Sequence, residues 1–422
     1  MKSLSKWSAL FTLLLIMNSC LKDECTNALK YVELNPVMMK AEDFRTNTIT
    51  TTSTQELKNP GKIYFYKNYL LVNERGKGIH FYNLEDLSNP RHEIFYNIPG
   101  NFDIAIKNDQ LIVDNVIDLI SIDIKDIQHP ELKIRSKNYK NVSEAAGQQF
   151  VAYYEKTNRT RVIDCSETGP NETFTNWNGG WWFSLSSASF DASVFSFNEV
   201  NSGTGNVGVA GSTTKFMLAK DMLYTLNDYQ LWTWNTSSLD AIQKIDMGWG
   251  IETLFAQNDL LFVGSTSGMS IFSLDNPLSP RKLSELSHAT ACDPVVVQGN
   301  TAYVTLRSGN ACTGNENQLD VIDISNATNP KLLKTYPMKN PHGLAILNDK
   351  LFICEGSYGF KILDASDRDK IKEKVFAKDI KSTDVIALSE NFVMVVGDEG
   401  FNILDVSNTG NIKVISKINV EK

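Results

Sequence analysis

The sequence predicts an all-β protein, a single β-propeller of about eight four-stranded antiparallel blades, or seven if one irregular unit is degenerate. Two strand motifs that recur along most of the 422 residues lead to this fold. A propeller arranges its sheets radially, which leaves only short and protected sheet edges. Parallel β-helices use shorter coils, and a sandwich would not repeat one unit this often.

The first motif is a run of alternating or β-branched apolar residues that ends in Asp, Asn or Ser, and a polar turn, often with Asn-Pro, commonly follows it. Alternation with a period of two marks a strand, and Asn-Pro breaks one. The motif ends at Asn83, Asp123, Asp164, Asn235, Ser273, Asp323, Asp364 and Asp405, in steps of 40, 41, 71, 38, 50, 41 and 41 residues. The third unit is the irregular one, because no Pro-terminated turn or clean strand follows Asp164.

The second motif, which consists of a strand, a tight turn and another strand, precedes the first. Its turn is Asn108-Asp109 in one unit and recurs as Asn258-Asp259, Gly299-Asn300 and Asn348-Asp349. Such doublets tolerate the positive φ that tight hairpins need. Each unit therefore reads as four consecutive strands, which we call A to D, and no exchange of strands between the chain ends is needed.

The strand C motif resembles a known repeat. Residues Leu319-Asp-Val-Ile-Asp-Ile-Ser325 and Phe401-Asn-Ile-Leu-Asp-Val-Ser407 are similar to the LVIVD repeat, which defines a family of bacterial propeller lipoproteins. The resemblance covers residues from about Gly61 to Lys422. It implies the fold and a lipid anchor, and it brings no catalytic residues to this chain.

The N-terminus predicts export. Lys2 and Lys6 precede a short apolar stretch from Trp7 to Met17, which is too short for a membrane span of about 20 residues. Ser19-Cys20 then resembles a bacterial lipobox, although Met17 stands where the motif usually has Leu. We expect residues 1–19 to be a lipoprotein signal peptide and Cys20 to be lipidated; the alternative is an ordinary secretory signal.

The segment after Cys20 predicts a tether and a cellular address. Residues 20–59 lack sustained periodicity and are expected to form the lipidated N-terminus and a flexible tether, with a short ordered section around Pro36–Phe44, ahead of a propeller at 60–422. Lys22-Asp23-Glu24 resembles the export tag of surface lipoproteins of the Bacteroidetes. This resemblance implies an outer-membrane lipoprotein that is exposed at the cell surface; the alternative is one that faces the periplasm.

Charge narrows the choice of partner. The net charge of −8 and the lack of a basic run argue against nucleic acid, because affinity for phosphate backbones needs clustered Lys and Arg. An acidic surface would also be repelled by an anionic bilayer, so membrane contact must come from the N-terminal lipid. We expect a monomer whose partner is an envelope protein or glycan of unknown identity.

The cysteines predict one disulfide bond. Cys292 lies just before strand A of the sixth unit, and Cys312 lies in the loop after its strand B. The hairpin at Gly299-Asn300 brings both segments to one end of the sheet, and an exported protein resides in a compartment that permits disulfides. We therefore predict a Cys292–Cys312 bridge; the alternative is two free thiols.

Candidate ligand-binding residues stand where strand A begins, which in a propeller faces the mouth of the central channel. They are Lys62, Asp103, Lys215, Glu252, Asp293, His342 and Asp384. Such a ring of carboxylates, lysines and a histidine could bind a cation or a polar ligand, whereas the alternative is that a wet channel simply has polar walls. The five histidines lack a zinc-like spacing and no catalytic motif is present, so we expect no metal, no cofactor and no known catalytic constellation.

An insertion at about 166–212 is the second candidate. It contains Trp177, Trp181 and Trp182, followed by a Gly/Ser-rich stretch. Exposed aromatic faces suit sugar rings or protein partners. The alternative is that these rings pack the insertion onto its blade.

Two functions follow from these observations. The favoured one is a lipid-anchored, non-catalytic binding or scaffold module of the cell envelope. The alternative is an envelope hydrolase or lyase that acts on polysaccharide or peptide through Asp103, Glu252, Asp293, His342 and Asp384, because propeller enzymes assemble their sites from separate blades.

Overall fold

The computed structural model describes residues 26–45, 48–53, 55–137, 139, 148–164, 209–210, 215–227, 229–248, 250–265, 268–287, 294–307, 317–397, 400–408 and 410–421. The chain divides into two compact units. The described residues of the first are 26–36 and 154–164, and those of the second are all the others. The propeller lies wholly in the second unit.

Three elements precede the first blade in the chain: β1 (Thr26–Lys40), the helix α1 (Ala41–Phe44) and β2 (Thr50–Thr52). Blade I consists of β3 (Pro60–Tyr66), β4 (Tyr69–Glu74), β5 (Gly78–Asn83) and β6 (Arg91–Asn97). Blade II consists of β7 (Ile104–Lys107), β8 (Gln110–Asp114), β9 (Leu119–Asp123) and β10 (Glu131–Ser136). No helix in the described part of the chain is long and apolar enough to cross a membrane.

Two further strands, β11 (Gln149–Asp164) and β12 (Val209–Ala210), precede blade III. Blade III consists of β13 (Phe216–Ala219), β14 (Met222–Asn227), β15 (Gln230–Asn235) and β16 (Ala241–Asp246). Blade IV consists of β17 (Ile251–Gln257), β18 (Leu260–Ser265), β19 (Gly268–Ser273) and β20 (Arg281–Ser287).

Blade V consists of β21 (Val295–Gln298), β22 (Thr301–Leu306), β23 (Gln318–Asp323) and β24 (Lys331–Pro337). Blade VI consists of β25 (Leu344–Leu347), β26 (Lys350–Cys354), β27 (Phe360–Asp364) and β28 (Lys372–Ala377). Blade VII consists of β29 (Asp384–Ala387), β30 (Phe392–Gly397), β31 (Gly400–Asp405) and β32 (Lys413–Asn419).

The described strands confirm an all-β propeller of seven blades, each built from four consecutive antiparallel strands. Seven is the lower of the two counts that the sequence left open. The third motif, which ends at Asp164, lies at the end of β11, and β11 pairs with β1 in a two-stranded sheet instead of forming strand C of a blade. An alternating apolar pattern specifies a strand, but only the strands around it decide which sheet it joins.

Apolar clusters between neighbouring blades hold the ring together. Each of the seven blade junctions in the described structure has its own buried cluster. The cluster that closes the ring packs Ile386 and Met394 of blade VII against Leu70 and Val72 of blade I. Because a fully buried Leu or Ile contributes about 1.5–3 kcal/mol, these junctions supply the main stabilisation of the ring.

The Asp that ends strand C caps the turn that follows it. The Oδ1 atoms of Asp323, Asp364 and Asp405 accept the backbone N–H of the serine two residues later, at 3.0, 3.1 and 2.9 Å. Hydrogen bonds from Ser407 hold the pKa of the Asp405 carboxyl below its usual value. The repeated Asp is therefore a turn-forming residue of the Asx type.

The loop between strands C and D also joins neighbouring blades. Backbone carbonyls at one repeat position accept side-chain hydroxyls of the preceding blade: Ile127 from Tyr96 at 2.8 Å, Pro277 from Tyr224 at 2.7 Å and Ala327 from Ser284 at 2.6 Å. These loops therefore fix the packing of one blade on the next.

The N-terminal segment is ordered over a longer stretch than the sequence predicts. Residues 20–59 are expected to be a tether with order only around Pro36–Phe44, but β2 also pairs with β6 and extends the outer edge of blade I. Phe44 is buried against Ile117 and Phe150. Residues 50–52 are all threonine, which buries little apolar surface, and this composition is typical of a tether. The β-branched side chain of threonine also suits an edge strand, which is the structure these residues form.

Candidate functional site at the channel mouth

The seven residues of the predicted ring come one from each blade. Lys62 lies in β3, Asp103 and Lys215 directly precede β7 and β13, and Asp384 begins β29. His342 precedes β25 by two residues. Glu252 lies in β17 but its side chain is outside the described atoms, and Asp293 is outside the described residues. Because all strands A run in the same direction about the axis, the described positions among these share one end of the channel.

Four of these residues, together with Arg75 of the loop between β4 and β5, form what we call the channel-mouth cluster: Lys62, Arg75, Asp103, Lys215 and Asp384. The pKa of Lys62 is lowered to about 8, first by burial and then by the like charges of Lys215 and Arg75. The carboxylates of Asp103 and Asp384 act in the opposite direction. Charges of both signs therefore act on Lys62 at this end of the channel.

The two carboxylates of the cluster also hold the backbone. Asp103 Oδ1 accepts the backbone N–H of Lys215 at 3.1 Å, which ties the start of blade III to blade II. Asp384 Oδ1 accepts the backbone N–H of Val385 at 2.9 Å. Both carboxylates are buried, with 6% and 4% of the residue surface exposed. Asp103 and Asp384 are therefore buried within the channel wall.

A second set of acids, missed in the sequence, stands at the end of strand B. Glu74, Asp114 and Glu355 are buried, and each accepts two backbone N–H groups from the segment that leads into strand A of its own blade. The distances are 2.9 and 2.8 Å for Glu74, 2.8 and 2.9 Å for Asp114, and 2.9 and 2.6 Å for Glu355. These acids fix the backbone that carries the channel-mouth residues. An acid directly after the apolar run of strand B is the signal that identifies them.

Cationic or imidazole side chains of strand C accompany two of these acids. Lys361 Nζ lies 2.7 Å from Glu355 Oε1. In blade I, His80 Nε2 lies 3.5 Å from Glu74 Oε2, and His80 Nδ1 lies 3.1 Å from His92 Nε2. Burial and the neighbouring His80 lower the pKa of His92. These contacts join strand C to the acids that hold the backbone at the channel mouth.

His342 positions an arginine. Arg307 Nη1 and Asn340 Nδ2 lie 3.2 and 3.1 Å from His342 Nε2. A guanidinium can only donate, so Nε2 accepts and the ring proton resides on Nδ1. Burial and then the charge of Arg307 lower the pKa of His342 to about 3, so the ring is neutral at physiological pH. The neutral ring of His342 therefore accepts a hydrogen bond from Arg307 and holds the arginine in place. The sequence did not predict this role.

Several predicted sites lie outside the described residues: the lipidation site Cys20, the bridge Cys292–Cys312 and the aromatic set Trp177, Trp181 and Trp182. They stay predictions. Among the described residues, no group of three or more His, Cys, Asp and Glu side chains could hold a metal ion.

A family model described as the LVIVD repeat matches residues 290–337 and 381–420. These two segments coincide with blades V and VII, so one repeat of this family corresponds to one blade. The chain is thus a β-propeller, and two of its blades match the LVIVD repeat.

Three solved structures match most of this chain at low sequence identity. The computationally designed protein Ika8 is 11% identical with a TM-score of 0.49, over 87% of this chain and 94% of that one. Kluyveromyces lactis Hsv2 is 10% identical with a TM-score of 0.48, over 86% and 100%. BamB from Moraxella catarrhalis is 12% identical with a TM-score of 0.47, over 89% and 92%. No curated protein matches this chain.

Proposed function

We propose that the protein is a lipid-anchored, non-catalytic binding or scaffold module of the cell envelope, which holds a protein or glycan partner at the channel mouth. One observation supports this above all: the repeated residues serve the backbone turns and blade contacts, whereas the residues at the start of strand A differ from blade to blade. A rigid ring that displays non-repeated polar side chains at one end is suited to recognition.

The chemistry of the described carboxylates favours binding over hydrolysis. Paired acid–base catalysis needs two carboxyl groups within short reach of one bond, with one of them protonated. Asp103 and Asp384 belong to blades II and VII, with Lys62 of blade I between them, and each accepts a backbone N–H. Each carboxylate therefore has a cationic neighbour and accepts a backbone N–H, as expected of a structural residue in the channel wall.

The binding role is tested by capture of partners from cell envelopes. We expect the wild-type chain to retain a defined partner that the double variant Lys62→Met/Lys215→Met loses. Lys67→Met is the matched control, since Lys67 lies just beyond the opposite end of β3. A deletion of residues 166–212 asks in parallel whether the insertion contributes. Equal capture by the double variant and the wild type would contradict recognition at the channel mouth, and turnover of envelope glycans or peptides lost in Asp103→Asn would contradict a non-catalytic role.

The lipid anchor is tested at Cys20. We expect the wild-type chain to incorporate labelled fatty acid and to sediment with the outer membrane, whereas Cys20→Ser is released in soluble form, because one cysteine would carry the lipid. Cys25→Ser is the control and should behave as the wild type. Fatty-acid labelling that persists in Cys20→Ser would show that this cysteine is not the anchor.

A further inference from the structure

Two histidines of blade I face each other across strands C and D. His80 of β5 is fully buried and His92 of β6 is half-buried. His80 Nδ1 lies 3.1 Å from His92 Nε2, and the ring centroids are 5.2 Å apart. A hydrogen bond between two ring nitrogens needs a proton on one of them and a lone pair on the other. This bond therefore exists only while one of the two facing nitrogens has no proton.

A buried carboxylate fixes a proton on the other side of His80. Glu74 Oε2 accepts the backbone N–H of Lys58 at 2.9 Å and lies 3.5 Å from His80 Nε2. A lone pair on Nε2 would be repelled by this carboxylate, so Nε2 carries a proton. The two rings can hold three protons and keep their mutual hydrogen bond. A fourth proton places an N–H group on both facing nitrogens and two positive charges side by side.

The surroundings of the pair disfavour this fourth proton. The polar and charged groups that act on the pair, among the described residues, are Glu74 of β4, Tyr82 of β5, Glu93 of β6 and the carbonyl of Ser53. Burial and then the charge of His80 lower the pKa of His92, although Ser53 and Glu93 act in the opposite direction. Because the unfolded chain then takes up the proton more readily, the folded arrangement loses stability as the pH falls below about 6.5.

The histidine pair lies next to the outer edge of blade I. Phe95 of β6 packs its ring on His80 with centroids 4.6 Å apart, and the same residue pairs with Thr52 of β2. Strand β2 has only three residues and pairs with β6 alone. A short edge strand with few contacts opens more easily than the core strands of a sheet. A displacement of His92 away from His80 therefore acts first on β6 and β2.

Blade VI has the same arrangement without histidine. Lys361 stands at the position of His80, two residues after the glycine that starts strand C, and Glu373 stands at the position of His92. Lys361 Nζ lies 2.7 Å from Glu355 and 3.5 Å from Glu373. Histidine is the only side chain whose ordinary pKa lies between pH 5 and 8. Of these two blades, only blade I therefore has side chains at these positions that are expected to titrate in this range.

We propose that the His80–His92 pair is an acid-sensitive switch, which holds β6 and β2 in place at neutral pH and loosens them when both rings are protonated. Repulsion between two imidazolium rings and the loss of their hydrogen bond drive the change. Since β2 belongs to the segment that precedes the first blade, the switch controls how this segment is attached to the ring. The switch needs no partner at the channel mouth, so it goes beyond the proposed binding role.

The test is hydrogen–deuterium exchange of the full-length chain at about pH 7.5 and about pH 5, which lie on either side of the ordinary histidine pKa and above that of carboxyl groups. Rates are corrected for the pH dependence of intrinsic exchange. We expect the corrected exchange of β2 and β6 to be at least about tenfold faster at the lower pH, the factor that corresponds to one unit of pKa. Strand β28, the counterpart of β6 in blade VI, should exchange equally at both pH values.

Three variants make the test specific. His80→Lys/His92→Glu gives blade I the side chains of blade VI and should abolish the response to acid. His92→Gln should abolish it as well, because an amide does not take up a proton in this range. His129→Gln is the matched control and should respond as the wild type, since His129 is exposed in a loop of blade II and contacts Asp126.

Two results would overturn the inference: β2 and β6 of the wild type exchange equally at both pH values, or the acid response persists in His92→Gln. Thermal unfolding at neutral pH shows whether each variant is folded. If the double variant does not fold, the comparison between His92→Gln and His129→Gln decides the question.

Discussion

Replacing Glu355 by alanine is expected to lower the free energy of unfolding by about 3–5 kcal/mol, the range for removing one partner of a buried ion pair. Glu355 is fully buried, accepts the backbone N–H groups of Lys339 and Asn340, and lies 2.7 Å from Lys361 Nζ. The substitution leaves two backbone donors without their acceptor and one buried ammonium group without its closer carboxylate. Denaturation in urea, followed by near-UV circular dichroism, measures the loss.

Glu373→Ala is the matched control for this prediction. Glu373 contacts the same lysine, at 3.5 Å, but its side chain is half exposed. Ion pairs of this kind contribute about 0–1 kcal/mol, so its removal should hardly shift the transition. Equal losses in the two variants would show that Glu355 does not have the supporting role described above.

Gly400→Ala is expected to cost at least about 2–3 kcal/mol, because it combines backbone strain with a steric clash. Gly400 begins strand C of blade VII with a φ of 126°, and a Cβ atom there would overlap the carbonyl oxygen of Ile418 on strand D. Gly78, Gly268 and Gly359 hold the same position in three other blades with positive φ. Thermal unfolding of the variant measures the loss.

The control is a glycine whose surroundings are open. Gly299 has a φ of 60°, and no atom lies within 4 Å of a Cβ placed on it. Asn258 and Asn348 occupy the corresponding turn position with φ of 54° and 47°. Gly299→Asn should therefore change stability by less than about 0.5 kcal/mol. If Gly400→Ala is as mild as Gly299→Asn, the glycine of the repeat is not required by strand pairing.

Local features of the fold could be predicted from the sequence. These features are the turn doublets, the Asp that ends strand C and the Asn-Pro turns. Each acts on the backbone within two or three residues, so the sequence of one repeat is enough to predict the turns of that repeat. The number of blades depends on pairing between strands that are far apart in the sequence. Asp164 ends a pattern of strand C type, but it lies in β11, whose partner is β1.

The candidate site was predictable only in part. The start of strand A recurs in register with the repeat, and topology brings Lys62, Asp103, Lys215 and Asp384 together. Arg75 and Arg307 lie outside the repeated motifs, so no pattern in the sequence selects them. Their places depend on hydrogen bonds with Pro60 and His342, which only the folded ring creates.

Hydrogen–deuterium exchange of the full-length chain, with and without the partner captured from the envelope, tests recognition at the channel mouth most directly. Recognition there predicts protection in the segments that lead into strand A, including residues 98–103 and 338–343, with no change in the turns between strands A and B at the opposite end. Protection confined to those opposite turns, or spread evenly over both ends of the ring, would contradict it.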